Sequence, residues 1–133
     1  MIRTATLVTL SALAVALAGS DRTPASARAN AAPPAATSLG EPVTCIPLRD
    51  IDNLRYYDDY TIDFEMKNRT VYRNTLPNRC PELGFEQRIA YKTSLSQLCN
   101  TDVFTVLHSD GTRGATCGFG KFTPVRLASA KRR

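Results

Sequence analysis

The sequence predicts a mainly β fold, a small antiparallel barrel or sandwich of about five or six strands that is cross-linked by disulfides. Three observations support this prediction. Short β-prone runs follow one another with turn residues between them. No segment of the domain carries the apolar period of a long helix. The chain also holds four cysteines, an even number, behind a beginning that is typical of exported proteins.

Several segments carry the strand pattern. They are residues 54–57, 61–66, 71–76, 88–93, 103–107 and 115–125. In the second of them apolar and polar residues alternate, which predicts that Asp63 and Glu65 lie on the solvent face. In the last of them, Gly118 and Gly120 indicate a bulge or the close approach of another backbone.

The predicted connections are short. Residues 67–69 form a turn in which Asn68 can take the left-handed conformation at low cost. Residues 77–84 form an ordered loop with one helical turn, and residues 94–100 form a turn or a short helix. Residues 109–111 turn the chain between the last two predicted strands, which makes these strands a hairpin.

The beginning of the chain predicts a signal peptide, residues 1–18. One cation, Arg3, precedes an uncharged run over residues 7–19. This run is too short to cross a bilayer, which takes roughly 20 apolar residues. We expect cleavage after Ala18, and the second candidate position is after Ala29.

The residue that follows Leu17-Ala18-Gly19 bears on membrane attachment. In a bacterial lipoprotein this position holds the cysteine that receives the lipid, whereas here it is Ser20, whose hydroxyl cannot form the thioether. The sequence therefore predicts an exported protein without a stable membrane anchor, either periplasmic or secreted.

The domain boundaries follow from composition. Residues 19–44 are rich in Ala, Pro, Ser and Thr and have no apolar period, so we predict a disordered tether. Residues 45–126 form the single β domain, and residues 127–133 form a basic, frayed tail. A domain of this size buries only about 60–65% of its unfolded surface, which is why disulfides would help to stabilise it.

The distribution of charge argues against a nucleic-acid partner. The chain carries a net charge of +5, but residues 45–126 hold eleven Lys and Arg against ten Asp and Glu. Basic and acidic residues alternate along the domain, while nucleic-acid binding needs cations gathered on one surface. We therefore expect a mixed-charge surface and no nucleic-acid ligand.

The four cysteines, Cys45, Cys80, Cys99 and Cys117, predict two disulfides and no metal site. The closest two are eighteen positions apart, and the chain has one histidine, whereas zinc ligands usually come in close pairs. A hairpin turning at residues 110–111 would place Cys117 opposite Phe104 or Thr105.

The same hairpin would place Cys99 opposite Phe122, on the order of 15 Å from Cys117 along the strands. A disulfide between Cys99 and Cys117 is therefore disfavoured, because its Cα atoms must lie within about 7 Å. Two pairings remain open, Cys45–Cys99 with Cys80–Cys117, or Cys45–Cys117 with Cys80–Cys99.

The residue types support few catalytic mechanisms. His108 is the one imidazole and closes a strand, where a solvated position is expected. The side chains of Asp58 and Asp59 should diverge at a turn, and Asp50 with Asp52 is explained equally well by a capped loop. We expect no catalytic residue, no cofactor and no metal ligand.

The aromatic residues leave two functions to consider. The domain has many rings, and a small domain needs most of them in its core; the rings concerned are Tyr56, Tyr57, Tyr60, Tyr72, Phe85 and Tyr91. The function is not specified by the sequence. We expect a noncatalytic binding or interaction protein whose partner is an unknown envelope or extracellular component. The alternative is a small hydrolase that uses exposed carboxylates.

Several segments resemble one family of small exported, cysteine-containing proteins of Gram-negative bacteria, a domain of unknown function. The residues that carry the resemblance are Leu54-Arg55, Asp59-Tyr60-Thr61-Ile62, Tyr72-Arg73-Asn74-Thr75-Leu76, Cys80-Pro81-Glu82-Leu83-Gly84-Phe85, Leu98-Cys99, Asp102-Val103-Phe104 and Cys117. Some members have only the counterparts of Cys80 and Cys117. The resemblance thus implies disulfides Cys80–Cys117 and Cys45–Cys99. It implies no activity or substrate.

Overall fold

The computed structural model describes residues 32–93 and 95–128. The predicted signal peptide and the first part of the predicted tether lie outside these residues, as do residues 129–133 of the predicted tail. Within the described part of the chain, no helix has the length and hydropathy needed to cross a bilayer.

The described chain is mainly β, as predicted, and its strands pair antiparallel. The strands are β1 (Ala36–Ser38), β2 (Cys45–Pro47), β3 (Ile51–Tyr56), β4 (Thr61–Met66), β5 (Val71–Thr75), β6 (Ile89–Tyr91), β7 (Gln97–Cys99), β8 (Val103–Leu107), β9 (Arg113–Gly118) and β10 (Phe122–Leu127), with a 3-10 turn at Leu48–Asp50 and one turn of α-helix, α1 (Leu83–Glu86). They exceed the five or six strands expected. The excess includes strands of three residues, which are too short to show a periodic pattern.

The strands form three sheets that enclose one core, an arrangement that fits a sandwich. The orders are β1-β10-β5-β4-β3, β6-β8-β9 and β2-β7. Phe119, between β9 and β10, lies at the centre of an aromatic cluster, with its ring centroid 4.7 Å from Phe104, 6.0 Å from Phe64 and 6.2 Å from Phe122. These rings come from two different sheets, so the cluster holds the sheets against each other.

The N-terminal boundary of the domain differs from the prediction. Strand β1 lies inside the expected tether and pairs with β10 from Ala36↔Leu127 to Ser38↔Val125. The predicted tether is thus too long, and the predicted tail begins too early, because Leu127 belongs to β10. An edge strand is held by main-chain hydrogen bonds and needs no apolar pattern. The side chains of β1 are exposed, so no sequence pattern predicts this strand.

The outer face of β4 also differs from the prediction. Asp63 is fully buried, because Arg73 on β5 covers it through two hydrogen bonds, Nε to Oδ1 at 2.8 Å and Nη2 to Oδ2 at 2.9 Å. Arg73 also donates to the Pro34 carbonyl at 2.9 Å, and its guanidinium lies 5.8 Å from the centre of the Tyr57 ring. Alternation along a strand predicts the face of a side chain, but not whether a neighbour covers it.

In the turn between β4 and β5, the left-handed residue is not the one that was predicted. Arg69, and not Asn68, takes the left-handed conformation, with φ of 70°. The Asn68 carboxamide oxygen instead accepts the Thr70 N–H at 3.0 Å, a bond typical of Asx turns.

The three-stranded sheet confirms the predicted position of Phe104 opposite Cys117, while an irregularity between Thr105 and Leu107 shifts the register nearer the turn. The expectation that Cys99 would face Phe122 is wrong. The predicted strand over residues 115–125 is broken after β9, and Phe122 pairs with Asn74 on the other sheet. Gly120 lies in the break and marks a close approach, as predicted, since a Cβ there would overlap the Thr75 carbonyl oxygen.

The two disulfides have the pairing that the resemblance implied. Cys45 on β2 and Cys99 on β7 are direct cross-strand partners and are bonded, with Cα atoms 4.0 Å apart. Residues 97–99 are therefore a strand, which corrects the turn or short helix expected over residues 94–100. Cys80 bonds to Cys117 on β9, with Cα atoms 5.8 Å apart.

Candidate functional site

The segment that follows β5, residues 80–87, is held to the domain from several sides, and we call it the Cys80 loop. Its first residue is fully buried and bonded to Cys117 on β9. Its fourth residue, Leu83, begins α1 and is also fully buried. One disulfide and one buried apolar side chain thus fix the loop, in addition to its polar contacts.

Asp59 fixes the Cys80 loop from the β3–β4 turn. Its main-chain carbonyl accepts the Cys80 N–H at 2.8 Å. Its carboxylate accepts the Gly84 N–H at 3.0 Å through Oδ1 and contacts Nη2 of Arg79 at 2.8 Å through Oδ2. The neighbouring carboxylate, that of Asp58, turns away and accepts the Tyr60 N–H at 2.8 Å. The two side chains diverge as predicted, and each has a structural role.

The backbone of the Cys80 loop is strained at both ends of α1. Glu82 before the helix has φ of 67°, and Gln87 after it has φ of 51°. Both lie in the left-handed region, which costs of order 1–3 kcal/mol for a residue other than glycine. Such strain persists only where the surroundings impose the conformation, and it occurs preferentially at binding and catalytic sites.

His108 joins the two glutamates of the Cys80 loop. Its Nδ1 lies 3.1 Å from Oε1 of Glu86, and its Nε2 lies 3.5 Å from Oε2 of Glu82. The hydrogen bond to Glu86 raises the pKa of His108, because it favours the imidazolium. Gly114 leaves room for the ring, since a Cβ there would lie 2.8 Å from Nε2. His108 is therefore held in place, which corrects the expectation of a solvated strand end.

Two exposed aromatic rings lie in this region, one within the Cys80 loop and one beside it. Phe85, within α1, is 66% exposed, and Tyr60 is 45% exposed. They are the chain neighbours of Gly84 and Asp59, which share a hydrogen bond, so both belong to one region of the surface. Most of the other rings pack on the core, as expected; Tyr56, Tyr72 and Tyr91 do so. Burial raises the pKa of Tyr56 to about 12.

Acidic residues are scarce in the surface hollows of the described residues. Among four such hollows, Asp50 lines one, and no acidic residue lines the other three. The Asp50 carboxylate lies beside the neighbouring Arg49, 3.7 Å from its Nε, and Asp52 is exposed on β3. Within residues 32–93 and 95–128, no group of three Asp, Glu, His or Cys residues is placed to bind a metal ion.

Part of this site was accessible from the sequence. The cysteine of the Cys80 loop was predicted to form a disulfide, and the loop carries the most distinctive motif of the resemblance. No sequence pattern predicts the exposure of Phe85 or the left-handed conformations of Glu82 and Gln87, because each depends on contacts with distant strands.

The fold and the site together define a class, a small antiparallel β-sandwich with two disulfides and a rigid, strained loop. Two disulfides are consistent with a protein that folds outside the reducing cytoplasm. The chain belongs to a family of unknown function, DUF6491, whose model matches residues 1–133. This confirms the resemblance to a domain of unknown function. Comparison with the curated proteins and with the solved structures found no match.

Proposed function

We propose that this protein is an exported, noncatalytic binding protein of the periplasm or the cell exterior, and that the Cys80 loop presents Phe85 to its partner. The observation that carries the proposal is a large apolar side chain, 66% exposed, on a helical turn that is fixed at both ends. Burying such a side chain contributes about 1.5–3 kcal/mol. A rigid loop loses little conformational entropy on binding, so more of that energy becomes affinity.

The polar groups of the same region support binding over catalysis. The Asp59 carboxylate is occupied by Gly84 and Arg79, and His108 is occupied by two glutamates. A nucleophile or general base needs a proton donor or acceptor aimed at a substrate. These side chains instead stabilise the loop that carries Phe85.

The test is affinity capture with the oxidised protein on an envelope extract, with wild type and Phe85→Ser side by side. We expect a partner that wild type retains and that Phe85→Ser binds about 30-fold more weakly, since a central aromatic anchor contributes 2 kcal/mol or more. Leu95→Ser is the matched control, because Leu95 is 65% exposed on a different loop. Equal retention by all three proteins, or no partner for wild type, would refute the proposal.

Export is tested separately by fractionation and by the N-terminal sequence of the processed protein. We expect recovery from the periplasm or the medium, with the chain beginning at Gly19 or at Asn30. Recovery of the unprocessed chain from the cytoplasm would overturn this part of the proposal and leave the binding experiment unaffected.

A further inference from the structure

The three-stranded sheet, β6-β8-β9, carries positive charge without acidic residues. Its strands contain no Asp or Glu. Three exposed cations stand on or beside them, Arg88 directly before β6, Lys92 directly after β6, and Arg113 at the start of β9. On the five-stranded sheet, by contrast, Arg55 and Arg73 pair with acidic residues of β4.

In the described part of the chain, the acidic residues that flank these strands in sequence form no ion pair with the three cations. The Glu86 carboxylate lies 3.1 Å from Nδ1 of His108. Asp102 accepts the Cys99 N–H at 2.8 Å, and Asp110 accepts both the N–H and the hydroxyl of Thr112 at 2.8 and 2.6 Å. Within residues 32–93 and 95–128, neither Lys92 nor Arg113 lies within 4.0 Å of a carboxylate oxygen. Each side chain thus keeps its hydrogen-bonding capacity for an anion.

Lys92 and Arg113 line the same hollow, of about 220 Å³, on this sheet. Ala90 and Thr105, which are cross-strand partners, also line it. Arg113 begins one outer strand, β9, and Lys92 directly follows the other, β6, so they flank the hollow from opposite sides. Val103, which is exposed, adds an apolar surface.

We infer that this hollow binds the oxyanion of a phosphate monoester. The planar guanidinium of Arg113 can donate two parallel N–H groups to phosphate oxygens, and the ammonium of Lys92 supplies a second charge. The hydroxyl of Thr105, another lining residue, lies 3.1 Å from that of Thr116 and can donate to the anion when Thr116 donates to it. Ala90 and Val103 offer apolar contact to the organic part of the ester.

The test is a titration of the oxidised exported protein with inorganic phosphate at low ionic strength. Binding is monitored by the NMR chemical shifts of the backbone amides. We expect a saturable response centred on Ala90 and Thr105. Each of Arg113→Gln and Lys92→Gln should weaken binding about tenfold, since each removes one charged hydrogen-bond donor to the anion. The double variant should show no saturable response.

A matched double variant, Arg69→Gln with Arg126→Gln, removes two exposed cations that line a different hollow. We expect its affinity for phosphate to stay within about twofold of wild type. An equal loss in this control, or a wild-type response that sodium chloride reproduces at the same ionic strength, would show general charge screening and refute the site. Urea midpoints check that every variant remains folded.

Two further ligands identify the source of the phosphate. Glycerol 3-phosphate presents the monoester on a soluble molecule, and vesicles that contain phosphatidic acid present it on a lipid. Competition with inorganic phosphate by either one supports the inference and assigns the source. A hollow that responds to none of the three ligands would overturn it.

Discussion

The side-chain amide of Asn74 hydrogen-bonds to both main-chain groups of Gly120. Nδ2 donates to the glycine carbonyl at 2.7 Å, and Oδ1 accepts from the glycine N–H at 2.8 Å. Asn74 is fully buried on β5, and Gly120 lies where the chain leaves the three-stranded sheet for β10. The amide thus supplies the partners that a neighbouring strand would otherwise provide, at the point where strand pairing stops.

The close approach at Gly120 predicts a large effect of one methyl group. Gly120→Ala would place a Cβ against the Thr75 carbonyl oxygen and displace the contact with Asn74. We expect the free energy of unfolding, measured by urea denaturation, to fall by about 2 kcal/mol or more. Gly118→Ala is the control, since a Cβ there meets no atom within 4 Å, and it should change stability by about 0.5 kcal/mol at most. Similar losses in both variants would contradict this account.

The buried pair of Asp63 and Arg73 predicts a strong dependence on one carboxylate. Asp63→Asn leaves the guanidinium, whose side chain is 15% exposed, without its counter-charge. We expect a loss of about 3–5 kcal/mol in the free energy of unfolding.

Glu65→Gln is the comparison for that variant, because it removes the same charge from the more exposed pair with Arg55. It should cost less than about 1 kcal/mol. Chemical denaturation of both proteins at pH 7 measures the difference. A mild effect of Asp63→Asn would mean that solvent reaches Arg73 more freely than the structure shows.

The disulfides predict a reductant-sensitive fold. They close loops of 54 and 37 residues, for which the loop-closure model gives about 4 kcal/mol each. Replacing Cys80 and Cys117 together by alanine should lower the free energy of unfolding by about that amount. Non-reducing peptide mapping should join the peptide of Cys45 to that of Cys99. Four unreacted thiols in native protein, or unchanged stability in strong reductant, would contradict the prediction.

The contacts of His108 predict a pH dependence of known sign. The pKa of His108 is raised in the folded state by Glu86, with a further contribution from Glu82. Protonation of His108 therefore stabilises the folded state. The contribution is complete below the unfolded pKa of about 6.5 and is lost as the pH rises through the higher folded value.

An NMR titration of the imidazole Cε1 proton should therefore give a pKa above about 6.5. His108→Gln should remove the corresponding decline of stability with rising pH. A measured pKa at or below the ordinary value would show that the contacts with Glu82 and Glu86 do not persist in solution.

The sequence predicted the strands and the hairpin whose positions depend on neighbouring residues. Residues 61–66 and 103–107 are strands with the predicted bounds, and Phe104 lies opposite Cys117 as the hairpin required. That pair lies near the turn in sequence, so local residues were sufficient to predict it, whereas the register shift between Thr105 and Leu107 was not predicted.

The features that were missed depend on distant partners. Strand β1 is defined by its pairing with β10, and the burial of Asp63 depends on Arg73 from the next strand. Likewise, the conformation of the Cys80 loop depends on Asp59 and His108, which are far from it in sequence. No local period encodes such contacts, because each is decided by how the strands assemble.

Strand β1 has a consequence for how the protein can be shortened. It covers the hydrogen-bonding edge of β10, and the chain just before it supplies the Pro34 carbonyl to Arg73. Trimming the protein to its cysteine-bounded region would bare a ladder of main-chain donors and acceptors and deprive a guanidinium of one acceptor. Such an edge favours pairing with a second molecule, so a chain cut at residue 45 should self-associate more readily than the longer one.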